Sequence, residues 1–257
     1  MITIVCLVYK SIEYADFTIE NIYKYTPMLK TGEAEFIFIA NNATDEVKKH
    51  LKEKNYNHIV RDYECPSDQT LNHWGFAKPA YIHEVYSAYN LGIEISKDIV
   101  CLVATDMAYS PDWLENLLKR LKYNTVVTSK LVETTENNPY GVFRNPRTGS
   151  GAHFGLFGGR ISDFREEEFL KFVEEKKIDD TEIGGGHQPL LMYKWQAELV
   201  GMYPEGNLAG YKRNWNRVEQ YGDDNLMTKL LSNGINFITS LDSIVYHLKE
   251  GEQREAI

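Results

Sequence analysis

The chain opens on a compact β-rich run, Ile2-Thr3-Ile4-Val5-Cys6-Leu7-Val8, and then changes period. Ala15, Ile19, Ile22 and Tyr23 recur at i, i+4, i+7 and i+8, which predicts a helix face that Pro27 closes. Phe36 to Ile39 reads as a second buried strand. Thr44 to Lys54 reads as a helix, with Asp45 and Glu46 in the first turn, where the macrodipole favours them, and Val47 and Leu51 on one face. Ile59-Val60 marks a short third strand. Pro79 to Leu91 carries Ile82, Val85, Tyr86 and Tyr89 on one helical face. Ile99 to Val103 is a fourth strand, whose unbroken hydrophobicity predicts burial on both sides. Ser110-Pro111 predicts a helix start, as N-cap and first-turn proline, and Val126-Val127 a fifth strand.

Strands alternating with helices predict an α/β fold with a mostly parallel sheet covered on both faces. Ligands of such sheets bind at the carboxyl ends of the strands. That rule selects Tyr9-Lys10, Asn41-Asn42 and Thr105-Asp106. The second half is less regular. Residues 131–152 are rich in Asn, Thr, Gly and Pro and predict a long loop. Phe164 to Lys177 predicts a charged helix, and Gly184-Gly185-Gly186 a break without the Lys of a phosphate loop. A last helix, Asp223 to Ser232, stops at Asn233-Gly234, and two short strands follow, ending at Tyr246-His247.

Composition narrows the classes. A length of 257 residues suits one large α/β domain or two small ones, and 43% hydrophobic with 25% charged residues is ordinary for a globular protein. The net charge of −9 argues against nucleic acid as the main partner. Three cysteines, Cys6, Cys65 and Cys101, fit no zinc spacing; two lie in apolar strands, and a reducing cytosol is the expected compartment. Met1 leads straight into the first strand with no secretory n-region, and no apolar run approaches the roughly 18–20 residues that span a bilayer. The expectation is a soluble, cytoplasmic protein that would reach a membrane only by peripheral docking.

Three positions carry candidate chemistry. Asp106 directly follows a buried strand; it is either a turn carboxylate satisfying local donors or the ligand of a hard divalent cation. His247 ends the last strand, where it is either structural or completes a metal site with Asp106 if the fold joins them. In Gly222-Asp223-Asp224-Asn225 two carboxylates open a helix, either decorating its positive end or supplying Asp224 as a general base. With 17 Tyr and 4 Trp, a carbohydrate platform from Trp74, Tyr193, Trp195, Tyr211 and Trp215 competes with ordinary core packing. Lys212, Arg213 and Arg217 are a local basic cluster, either closing over phosphates or solvated.

Taken in order, these segments resemble the family 2 glycosyltransferases of GT-A fold, especially rhamnosyltransferase-like members. Ile2 to Lys10 is similar to the family's first strand and nucleotide-contacting turn. Phe38-Ile39-Ala40-Asn41-Asn42-Ala43-Thr44-Asp45 resembles its Asp-Asn-Gly-Ser-Thr-Asp loop, and Ala88-Tyr89-Asn90-Leu91-Gly92 its Ala-Arg-Asn-x-Gly segment. Leu102-Val103-Ala104-Thr105-Asp106 occupies the place of the DxD motif, followed by Pro111-Asp112-Trp113-Leu114. Leu191 to Trp195 and Val200 to Glu205 are similar to a later strand and turn, Tyr221 to Leu226 to the Gly-Glu-Asp-x-Asp-Leu acceptor motif, and Val245-Tyr246-His247 to the terminal Val-x-His. Ala40 stands where the family usually has an acidic residue, Asp106 alone remains of the DxD, Asp223 replaces Glu, and residues 131–188 match poorly.

The resemblance implies a single GT-A domain over 1–257: a nucleotide-sugar-binding half (1–130) and a smaller, mixed acceptor-binding half (131–257). It implies transfer of a hexosyl or deoxyhexosyl unit from a UDP, GDP or dTDP sugar to a glycan, lipid-linked or other hydroxyl acceptor, with inversion. Asp224 is the expected base, with Asp223 positioning the acceptor. Tyr9, Asn41, Asn90, Thr105 and Asp106 would contact the nucleotide, Asp106 and His247 would hold Mn2+ or Mg2+, and Trp195, Lys212, Arg213 and Arg217 would meet acceptor or phosphates. The competing expectations are a noncatalytic nucleotide-sugar or glycan-binding module and, ranked lower for want of a glycine-rich basic turn after the first strand, a nucleotidyltransferase.

Overall fold

The computed structural model describes residues 1–62, 79–133, 153–185, 188–204, 213–214, 217–218 and 222–248, and of residues 79–84, 153–154, 213–214, 217–218 and 224 the backbone alone. Trp74, Tyr211, Trp215, Lys212 and Cys65 lie outside the described residues.

The amino-terminal half follows the expected alternation. β1 (Ile2–Val8), α1 (Ile12–Tyr25), a short α2 (Met28–Thr31), β2 (Ala34–Asn41), α3 (Asp45–Glu53), β3 (His58–Arg61), α4 (Pro79–Ile95) and β4 (Ile99–Val103) run in chain order. Then come β5 (Met107–Tyr109), α5 (Trp113–Arg120), β6 (Thr125–Glu133), β7 (His153–Phe154), α6 (Glu166–Lys176), β8 (Thr181–Ile183), β9 (Leu190–Tyr193), α7 (Lys194–Leu199), β10 (Arg213–Asn214), β11 (Arg217–Val218), α8 (Gly222–Ser232) and β12 (Asn236–His247). Ser11 and Thr44 cap α1 and α3, each accepting from the backbone N–H three residues on, as short hydroxyl side chains do at helix starts.

The central sheet has the order β3-β2-β1-β4-β9-β6-β12-β5, with β7 beside β6 and β8 beside β12. β3, β2, β1 and β4 are mutually parallel, β6 and β12 are parallel to each other, and β9 is antiparallel to both β4 and β6. The parallel strands therefore all point one way, and strands from both sides of residue 131 share the sheet. Its two faces explain the unbroken apolar runs. Ile4, Cys6 and Val8 pack with Ala15, Ile22, Val47, Leu51 and Trp113 on one face, while Val5, Val100 and Leu102 pack with Ala88, Ile93, Leu226 and Leu230 on the other. Burial leaves Cys6 and Cys101 as free thiols and pushes the Cys101 pKa up. Among the described residues no helix is long and apolar enough to cross a membrane.

Three local expectations change. Ser110 does not cap a helix: α5 begins at Trp113, and the buried Ser110 hydroxyl donates instead to the Ile244 carbonyl, 2.7 Å away. The segment expected to loop from residue 131 stays in β6 as far as Glu133, because β12 continues to pair with it. The two short strands expected after Gly234 are one strand, β12, whose register on β6 breaks between Ser240 and Ile244. That bulge is anchored from both sides. Asn116 donates to the Asp242 carbonyl, Arg120 to the Asp242 carboxylate, and the Ser243 hydroxyl lies 2.7 Å from that of Ser129.

Candidate active site

The carboxyl edge of the sheet gathers most of the sequence candidates. Tyr9 follows β1, Asn41 ends β2, Thr105 and Asp106 follow β4, and His247 ends β12. The bulge sets what meets there. With three residues looped out of the ladder, His247 pairs with Glu133 of β6 on one side and with Met107 of β5 on the other. Directly paired residues share a face of the sheet, so the Glu133 and His247 side chains meet. Both Glu133 oxygens lie against His247 Nδ1, at 3.0 and 2.9 Å. Asp106, one residue before Met107, brings Oδ2 to 3.2 Å from Nε2. The Asp106 carbonyl also accepts from Leu248 N–H at 2.8 Å, tying the turn to the end of β12.

Burial works against a charge on this imidazole, but Asp106 and Glu133 together outweigh it and raise the His247 pKa to about 10. In the metal-free protein the ring is thus an imidazolium donating to two carboxylates. A folded pKa above the unfolded one stabilises the fold fully below the unfolded value of about 6.5, and the contribution disappears as pH rises through the folded one. The expected result is a urea midpoint, measured in EDTA, that falls between pH 7 and 10 more steeply for wild type than for His247→Gln. Parallel profiles would mean the ion triad contributes nothing.

Among the described residues no three His, Cys, Asp or Glu side chains form an ion cage by themselves. Asp106 and His247 nevertheless form a fitting donor pair. Adjacent ligands of an octahedral ion at about 2.1 Å stand about 3 Å apart, close to the spacing of Oδ2 and Nε2, and a carboxylate with an imidazole suits a divalent cation. Glu133 lies on the opposite side of the ring, out of reach of the same ion.

The helix end that carries Asp223 and Asp224 lies toward the same edge. The Tyr89 hydroxyl, donating to Val103 at the end of β4, has its pKa raised well above the ordinary value, first by burial and also by the charges of Asp223 and Asp106. Tyr86 donates to Asp223 Oδ2 at 3.1 Å and stacks on Tyr203 at 5.0 Å. Gly222 presses on the Tyr86 ring, where a Cβ would stand 2.2 Å from the nearest ring carbon. Gly222→Ala is therefore expected to cost about 1–3 kcal/mol and to push Tyr86 off Asp223. Chemical denaturation reads the first effect, and unchanged stability would mean the ring yields freely.

The remaining candidates divide. The Asn41 amide oxygen accepts from Arg61 at 2.9 Å, and the same guanidinium donates to Ser87 at 2.8 Å. Tyr9 is exposed, and its carbonyl accepts from Thr44 N–H. Thr105 is buried with its carbonyl held by the Thr18 hydroxyl. Asn90 is buried, and its amide bridges the backbone N–H and carbonyl of Tyr203, so it fixes the residue on which Tyr86 stacks. Trp195 stands apart from these residues. Tyr193 pairs with Ile99, the first residue of β4, so the Tyr193-Trp195 segment lies at the amino edge, where Trp195 stacks on Tyr123 at 4.5 Å. Arg213 and Arg217 form the β10–β11 pair, of which only the backbone is described. Glu133, Arg61 and Tyr86 were missed by sequence reasoning. Glu133 stands in a segment whose composition predicts a loop, Arg61 lies just past the expected Ile59-Val60 strand, and Tyr86 falls on an apolar helix face.

Sheet order, the antiparallel β9 between parallel strands and the helices on both faces define the GT-A glycosyltransferase fold. Three solved structures share it. GalNAc-T7 with UDP, GalNAc and Mn2+ superposes with a TM-score of 0.57 at 12% identity, over 96% of this chain and 43% of that one. The mannosyltransferase PcManGT from Pyrobaculum calidifontis, in complex with GDP-Man and Mn2+, gives 0.56 at 15% identity, over 99% of this chain and 59% of that one. S. aureus TarS 1-349 in complex with UDP-GlcNAc gives 0.55 at 11%, over 100% and 61%. This chain thus spans less than two thirds of each. No protein-family model matches the sequence, and no curated protein matches it significantly.

Proposed function

We propose that this chain is an inverting glycosyltransferase that moves a sugar from a nucleoside-diphosphate donor to an acceptor hydroxyl. The observation that carries the reading is the meeting of Asp106 and His247, 141 residues apart in sequence, at the carboxyl edge of a GT-A sheet. Solved proteins of that fold hold UDP or GDP-Man together with Mn2+. Asp106 and His247 would hold the cation, which supplies positive charge to a departing diphosphate when bound. The acceptor oxygen attacks the anomeric carbon from the face opposite the diphosphate. The bond from that carbon to the diphosphate oxygen breaks with its electrons on the leaving group, and the acceptor proton passes to the Asp224 carboxylate. Tyr86 holds Asp223, for orientation of the acceptor. Tyr9 and Asn41 line the nucleoside end, with Arg61 fixing which end of the Asn41 amide faces outward. Arg213, Arg217 and Lys212 are assigned to the phosphates, and the donor's sugar to the hexosyl or deoxyhexosyl class of the rhamnosyltransferase-like resemblance.

A thermal-shift screen of UDP, GDP and dTDP and their sugars, with and without Mn2+, tests the reading. A donor at a hundred times its Kd adds about 2.7 kcal/mol, or roughly 5–10 °C in a chain of this size. The expected outcome is one base standing out, with the shift lost in EDTA, and release of that nucleoside diphosphate in the presence of acceptor. Stabilisation by a donor without turnover across an acceptor panel would assign a binding module. No shift with any nucleotide would end the proposal.

A further inference from the structure

Glu133 belongs to none of the motifs that point to sugar transfer, yet it lies closer to the His247 ring than Asp106 does. Both of its oxygens face His247 Nδ1, and the two residues are direct partners in the β6–β12 ladder. The ladder holds them in place: β6 and β12 pair from Asn236 to His247, with only the anchored bulge interrupting the register. The ring is thereby fixed so that its second nitrogen, Nε2, faces Asp106 Oδ2. An imidazole that ligates through one nitrogen needs the other to carry the proton and donate it to a fixed acceptor. A carboxylate in that place selects the tautomer, locks the ring orientation and makes the ligating nitrogen a stronger donor.

We propose that Glu133 is the positioning residue of a divalent-cation centre, acting on the ion through His247 and not by ligating it. The inference rests on the reading of Asp106 and His247 as the ion's protein ligands. Glu133 and Asp106 have different tasks on opposite sides of one ring, so their replacement should have different signatures. Loss of Asp106 removes a ligand. Loss of the Glu133 charge leaves both ligands present, with the imidazole free to turn and to take the other tautomer. Glu133 faces His247 Nδ1 and not the Nε2 side that meets Asp106, so its effect should pass through the ion alone.

The test is a count of free Mn2+ by electron paramagnetic resonance in titrations of wild type, Glu133→Gln and Glu133→Ala, repeated with UDP and with GDP. The expected result is Mn2+ affinity weakened about 10–100-fold in both variants, with far-UV circular dichroism unchanged. In transfer assays the Mn2+ concentration for half-maximal rate should rise by a similar factor, with kcat at saturating Mn2+ largely recovered. Equal Mn2+ affinity in wild type and both variants would overturn the role of Glu133 and leave the ligand assignment standing. Wild type that binds no Mn2+, with or without nucleotide, would overturn the ligand assignment and this inference together. If Glu133→Gln and Glu133→Ala fail to fold, Glu133→Asp carries the same measurement. It keeps the charge but shortens the arm by one methylene, and its affinity is expected below that of wild type.

Discussion

Asp224→Asn is expected to lower sugar transfer by about 10²–10⁴-fold while donor affinity stays unchanged. The carboxamide keeps the size of the side chain but cannot take the proton that the acceptor oxygen must lose. Asp224 sits in the first turn of α8 (Gly222–Ser232), where unpaired backbone N–H groups favour an anion. The neighbouring Asp223 accepts from the Tyr86 hydroxyl. Steady-state release of the nucleoside diphosphate measures the loss, and the thermal shift with donor measures what is retained. A variant with full turnover would remove Asp224 from proton transfer and move attention to Asp223.

Asp106→Asn should lower turnover by about 10²–10³-fold and, unlike Asp224→Asn, should weaken donor binding as well. An amide oxygen is a poorer ligand for a hard cation than a carboxylate, and the charge facing the diphosphate would fall with it. Raising Mn2+ should recover part of the rate, since the defect is one of occupancy. The Asp224 variant should show no such rescue. The two substitutions thus separate the donor side of the centre from the acceptor side. If Asp106→Asn retains wild-type activity and Mn2+ dependence, the cation is held elsewhere or is not used.

Element types were largely legible in the sequence, because periodicity reports which faces are buried. The run from Ile2 to Val8 is continuous because Ile4, Cys6 and Val8 meet one layer of helices and Val5 the other. Asp45 and Glu46 in the first turn and Val47 and Leu51 on one face announced α3, and both apolar residues are buried. The misread places are those where a distant partner overrides a local signal. Ser110-Pro111 has the composition of a helix start, but the Ser110 hydroxyl is taken by Ile244, 134 residues away. Glu133 stands at the edge of a segment whose composition suggests a loop, and only pairing with β12 makes it part of a strand. Trp195 has the chemistry of a sugar platform, but the antiparallel run of β9 carries it to the other end of the sheet.

Sequence alone determined that this protein has an α/β sheet covered on both faces, and that candidate residues follow its strands. Those properties come from short-range patterns: hydrophobic period, turn residues and first-turn charges. It also nominated Asp106 and His247 as partners in a metal site, on the condition that the fold joins them. The tertiary structure decided that they are neighbours, that Glu133 stands behind His247, and that Tyr86 holds Asp223. The reason is register. A three-residue bulge in β12, pinned by Asn116, Arg120 and Ser129, shifts every later residue of that strand along β6 and brings His247 level with Glu133 and Met107. No local pattern records such a shift, because its energy lies in contacts between segments more than a hundred residues apart.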